Sequence, residues 1–125
     1  MRGIETIGGQ FSVCKVEDYS GIDLSRPYLF LGKTDRENSL VCLTDFVPEN
    51  TLEQEDGWKG FCIAGQLDFS LIGILAQLTK LLAECQIGVF VVSTFDTDYV
   101  FVKEEDYERA LAAMKDAGYS IEVSR

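Results

Sequence analysis

The chain has 125 residues, 11 basic and 21 acidic, for a formal net charge of −10, with 46% apolar residues, 4 cysteines and no histidine. That length fits one compact domain or two small interleaved halves, with roughly two-thirds of the unfolded surface buried. The charge speaks against a nucleic-acid partner and against anionic lipid, which are bound mainly through Lys and Arg. The missing histidine removes the commonest general base and metal ligand.

The N-terminus has no apolar core of signal-peptide length. The longest uncharged runs, Phe69 to Thr79 and Cys85 to Phe95, are 11 residues each, against about 20 for a membrane span. The expectation is a cytoplasmic protein without a membrane partner. In the first half, strands are predicted over Phe11–Val16, Tyr28–Gly32 and Leu40–Phe46, with room for one helical turn between Tyr19 and Arg26. Val47 to Gly57, rich in acids, reads as a solvated connection.

The second half is more regular. Trp58–Ala64 reads as a strand and Ser70–Cys85 as a helix, with Leu71, Ile74, Leu75, Leu78, Leu82 and Cys85 on one face. Asp68 or Ser70 can cap it, and Gly88 lies where a left-handed residue often ends a helix. Ile87–Phe95 is apolar at nearly every residue, which predicts a strand covered on both faces. Asp96 and Thr97 turn the chain back into Tyr99–Lys103. Glu104–Ala117 is a helix with an acidic first turn, an inner stripe of Tyr107, Ala110, Leu111 and Met114, and Gly118 as its stop. Tyr119–Ser124 alternates as a last strand. The order β-α-β-β-α-β is the α+β ferredoxin-like unit. The expected division is therefore 1–57, a β-rich half, and 58–125, the complete unit. No sequence repeat relates the two.

Cys14, Cys42, Cys62 and Cys85 are 28, 20 and 23 residues apart. That spacing suits neither a zinc ribbon nor a C-x-x-C redox pair, and all four read as small buried hydrophobes. Gly8-Gly9 is a lone pair, with no G-x-G-x-x-G and no Walker lysine, so no cofactor is expected. Ser70 has no elbow motif and no histidine to activate it. Phe90 and Phe101 lack the basic flanks of an RNA-stacking surface. No enzyme activity is expected.

Three stretches, LDFSLIGILA at 67–76, IGVFVVSTFDTDYVFV at 87–102 and ERALAAMKDAGYSI at 108–121, resemble small bacterial ACT-domain proteins. The likeness is to those related to the tandem ACT domains of aspartate kinases and to CASTOR-type arginine sensors. FSVCKV, YLFLGKT and SLVCLTDFVP in the first half are similar to the degenerate leading repeat of such proteins. The resemblance implies a tandem ACT-like fold of antiparallel sheets with helices on one face. It also implies a non-catalytic regulatory module that binds a small molecule, usually an amino acid, and pairs as a homodimer. The implied ligand loop is Gln66–Gly73 and the implied pocket strand end is Val91–Asp98.

The residues themselves fit that chemistry. A helix N-terminus offers free N–H groups to a carboxylate, and Asp68, Phe69, Ser70, Leu71, Ile72 and Gly73 stand there. Gly73 inside a helix costs about 1 kcal/mol relative to Ala, and either ligand approach or tight helix–sheet packing accounts for it. Ser93 and Thr94 can donate to a ligand or satisfy the strand end, and Phe95 follows them. Asp96 suits turn chemistry. Asp98 stands where the resemblance puts an acceptor for an ammonium or guanidinium group. An alternative is an interaction or dimerisation module of the same fold with an empty cleft.

Overall fold

The computed structural model describes residues 3–63 and 73–123. The chain forms two compact units, one of residues up to Gly8 together with those from Lys59 on, the other Gly9–Trp58. The fold is mixed α+β, as expected.

In the first of these units, β1 (Gly3–Thr6) pairs antiparallel with the end of β5 (Thr51–Ile63) and parallel with β8 (Ser120–Glu122). β6 (Val89–Ser93) pairs with β7 (Asp98–Lys103), and β7 with β5. The helices are α1 (Ile74–Glu84) and α2 (Tyr107–Asp116). From β5 onward this is the β-α-β-β-α-β order. β1, from the beginning of the chain, lies in this unit. Its four residues, GIET, are too short to show a period, and partners on both sides hold them in place.

Leu78 and Leu82 from α1 and Ala110 and Met114 from α2 are buried with Ile4, Phe61, Ile63, Val100 and Val102. Tyr107 and Leu111 pack at the margin of that core, so both predicted helical stripes face inward. β6 departs from expectation: Val89 to Val92 are only half-buried, because among the described residues the strand pairs with β7 alone. Phe101 is fully buried and stacks on Phe90 at 4.7 Å between ring centroids, so no base can lie on it.

Both helices end in the same way. In α2, Gly118 is left-handed (φ 101°), and the N–H of Tyr119 donates to Met114 O at 3.0 Å. In α1 the left-handed residue is Gln86 (φ 63°), not Gly88, and the N–H of Ile87 donates to Leu82 O at 3.0 Å. Ile87 is a core residue, and only a reversal just before it turns that side chain inward. Arg109 closes the end of α1, donating from Nη1 to Cys85 O at 2.9 Å while Nη2 binds Asp106 Oδ1 at 2.9 Å.

In the other unit the strand order is β3 (Phe30–Lys33), β4 (Asn38–Leu43), β2 (Phe11–Val16), β5. Residues 19–26 form two successive hydrogen-bonded turns, Ile22 N–H to Tyr19 O and Arg26 N–H to Asp23 O, rather than a helix. Residues 44–46 form a short 3-10 turn instead of extending β4. The predicted solvated connection is half strand: β5 begins at Thr51 and pairs with β2 through Glu53, Gln54 and Glu55. Its exposed acidic side chains hide the strand in the sequence, while its backbone is held by β2 and Glu53 lies 3.7 Å from Lys15 Nζ opposite.

Cys14, Cys42 and Cys62 are buried and Cys85 is half-buried, all four as free thiols. Burial pushes the Cys42 thiol from 9.0 up to about 12, with the neighbouring Cys14 adding to the shift. Cys62 is pushed up to about 11, by burial and then by Glu5.

Two predictions follow the helix end and the thiols. Gln86→Gly relieves the left-handed residue and raises stability by roughly 0.5–1 kcal/mol, read by urea denaturation. The folded state keeps thiol protons that the unfolded chain releases near pH 9.0. The stability of these protonated thiols is complete below that pH and is lost as pH rises towards 12. Cys42→Ala flattens that decline in a pH series of unfolding curves; an unchanged slope refutes it.

Candidate functional site

The predicted pocket residues of the strand end meet at the turn joining β6 to β7. Ser93 and Asp98 are cross-strand partners at its base, and the Ser93 hydroxyl donates to Asp98 Oδ1 at 2.5 Å. The Thr94 N–H donates to Thr97 O at 2.8 Å, and the Thr94 hydroxyl reaches the same carbonyl at 3.0 Å. The Thr97 N–H returns to Thr94 Oγ1 at 3.4 Å. Phe95 stands at the tip, 78% exposed.

Thr97, which the sequence reading took only as a turn residue, is buried, and its hydroxyl donates to Ile63 O at 3.1 Å. Ile63 is the last residue of β5. The turn is thus tied to the end of β5. Its signal in the sequence is faint: a threonine between two aspartates, whose buried hydroxyl needs an acceptor.

Gly73 directly precedes α1 rather than lying inside it, in the left-handed conformation (φ 84°). A Cβ there would meet no heavy atom of the described residues within 4 Å. The left-handed backbone angle by itself favours glycine at this position. Asp68, Phe69, Ser70, Leu71 and Ile72 lie outside the described residues.

Chemically, Asp98 accepts from Ser93 through one oxygen, and a carboxylate has further lone pairs for an ammonium donor. Burial raises the thiol pKa of Cys14, Cys42 and Cys62, so these three stay protonated at neutral pH. Among the described residues no group of three or more His, Cys, Asp or Glu side chains is placed to hold a metal ion. No described helix is long and apolar enough to cross a membrane.

The other unit carries a matching hairpin sixty positions earlier. The Thr34 N–H donates to Glu37 O at 3.0 Å, and the Thr34 hydroxyl reaches that carbonyl at 3.5 Å. β4 and β7, sixty positions apart, are each followed by a 3-10 turn, Thr44–Phe46 and Glu104–Asp106.

The ACT domain family matches residues 53–116. A protein from Agrobacterium tumefaciens is similar over 99% of this chain and 94% of its own, with 27% identity and a TM-score of 0.87. The regulatory subunit of aspartate kinase from Thermus thermophilus, in its ligand-free form, shares the fold at 12% identity and a TM-score of 0.63, over 93% of this chain and 97% of its own. The aspartate kinase of Clostridium acetobutylicum, described as an allosteric enzyme, shares it at 12% identity and a TM-score of 0.65, over 93% of this chain and 33% of its own.

Thr97→Val removes the tie to Ile63 and lowers stability by about 1 kcal/mol, measured by chemical denaturation. Amide exchange quickens at 94–97 and stays unchanged in α2. Uniform quickening throughout would show that the bond does not act locally.

Proposed function

Because the chain belongs to the ACT domain family, we propose that it is a non-catalytic regulatory module that binds an amino acid between the start of α1 and the β6–β7 turn. The carrying observation is the Thr97–Ile63 bond, which keeps Ser93, Thr94 and Asp98 beside the end of β5. Asp98 takes the ligand's ammonium group. The 66–73 loop takes its carboxylate, in keeping with the free N–H groups of a helix start. Protonated thiols and the absence of histidine support a module without catalysis.

The two matching hairpins support a tandem ACT-like arrangement with a reduced first copy. The half-buried, apolar edge strand β6 supports a homodimer formed there and also favours a second reading, a dimerisation module without ligand.

A thermal-shift screen against the twenty amino acids separates the two readings. A ligand at 100 times its Kd adds about 2.7 kcal/mol, and melting rises by several degrees. Asp98→Ala weakens that binding at least about tenfold while leaving assembly intact. A hit that Asp98→Ala leaves untouched moves the pocket elsewhere. Twenty blanks at millimolar concentration favour the dimerisation module.

A further inference from the structure

In the unit containing α1 and α2, those helices cover one sheet face. In the Gly9–Trp58 unit the corresponding connections are short. The stretch after β2 makes only turns, and the one after the 3-10 turn at 44–46 enters β5 within a few residues. Cys14, Val16, Leu40 and Cys42 form a small core there, covered by Tyr19, Ile22, Leu29 and Val47. Beside it, a groove of about 610 Å³ opens between residues 17–29 and 46–50.

Ile22, Leu29 and Val47 give that groove an apolar lining. Arg26 stands at its edge, with the guanidinium carbon 3.7 Å from the centroid of the Phe46 ring. Arg26 Nε is 3.7 Å from Asp23 Oδ2, beyond hydrogen-bond distance, and its two terminal nitrogens have no hydrogen bond among the described residues. A guanidinium held against an aromatic ring keeps a planar edge of donors suited to a carboxylate. Glu17 and Glu49 also line the groove, and neither has an ion pair among the described residues. Together the groove presents one cation, ion-paired through Nε to the lining Asp23 but with its terminal donors open, two further carboxylates without an ion pair among the described residues, and an apolar lining.

The loop that carries Arg26 is held in shape before any ligand arrives. Asp18 and Asp23 each accept from the N–H and hydroxyl of the serine two residues on, which holds both carboxyls below their ordinary range. Asn50, which lines the groove, donates to the Asp18 carbonyl and carboxylate. Tyr28 adopts a left-handed conformation (φ 62°), a strained state for a bulky residue that the loop sustains.

We infer that this groove is a second ligand site, for a small zwitterion. Its carboxylate lies on Arg26, its ammonium lies against Glu17 and Glu49, and its body lies over Leu29 and Ile22. An anion alone would meet the two free acids unpaired, and a cation alone would leave the terminal donors of Arg26, which Asp23 does not reach through a hydrogen bond, unmet. The inference does not depend on the pocket at the β6–β7 turn.

Amide NMR spectra of the full chain, titrated with each of the twenty amino acids, test it. At least one should shift resonances in 17–29 and 46–50. Propylamine and propionate, which carry one charge each, should bind there at least about tenfold more weakly. Arg26→Gln should abolish those shifts and leave any shifts at 91–98 in place, with Glu49→Gln, at an exposed side chain, as a second variant that weakens them. Shifts confined to 91–98 overturn the inference and leave the proposed function standing. Shifts confined to 17–29 and 46–50 do the reverse. Undiminished binding in Arg26→Gln, or no shift at 17–29 from any amino acid, also overturns it.

Discussion

Strand β5 is the constraint on which both units rest. Its thirteen residues change character along their length. The first half, acidic and exposed, supplies backbone partners to β2. The second half, ending in Phe61, Cys62 and Ile63, is buried and pairs with β1. A strand can carry two such chemistries because its ladder uses backbone groups common to every residue. The extra residue opposite Phe11–Val13 is a bulge near Asp56 and Gly57, where one chemistry gives way to the other. Asp56 is held there by the buried Ser12 hydroxyl, which also contacts Thr44.

What distinguishes the units is the layer over the sheet. Two amphipathic helices close one face of the larger unit, and each is ended by a left-handed residue that turns the following side chain inward. Arg109 lets α2 satisfy a carbonyl that the end of α1 would otherwise leave open. The smaller unit has the same hairpin and 3-10 turn but no helix among its described residues. Its apolar face is covered by only four partly buried side chains. A groove with charged walls is the physical consequence of that thinner layer. The proposed turn site and the groove therefore have different origins: hydrogen bonding at a hairpin end, and an unfilled layer.

The turn at 94–97 combines stability with availability. Its buried threonine fixes position, its paired Ser93 and Asp98 fix orientation, and its tip remains in solvent. Such a division suits a regulatory module, in which a ligand group must meet a preset acceptor without reordering the strand.

Periodicity made the second half readable. The stripes of α1 and α2 and the alternation of β8 appear in the sequence because burial on one face repeats with the element's own period. The same logic identified β2 residue for residue. It failed where backbone alone decides: β1 is four residues held between two partners, and the start of β5 is acidic because its side chains face water. Ser93, Thr94, Phe95 and Asp98 are adjacent in sequence, so their clustering was legible. Thr97's bond to Ile63 spans 34 positions and was not. Gln86 replaced Gly88 as the helix stop because Ile87 had to be buried, which no local preference encodes. By itself the sequence determined the helices, the hairpins, the protonated thiols' apolar settings and the acidic surface, since these follow from local pattern. Only the tertiary structure decided which unit owns β1, where the turn is anchored and that a groove opens under the shorter loops. Those depend on backbone pairing and packing between residues far apart in the chain.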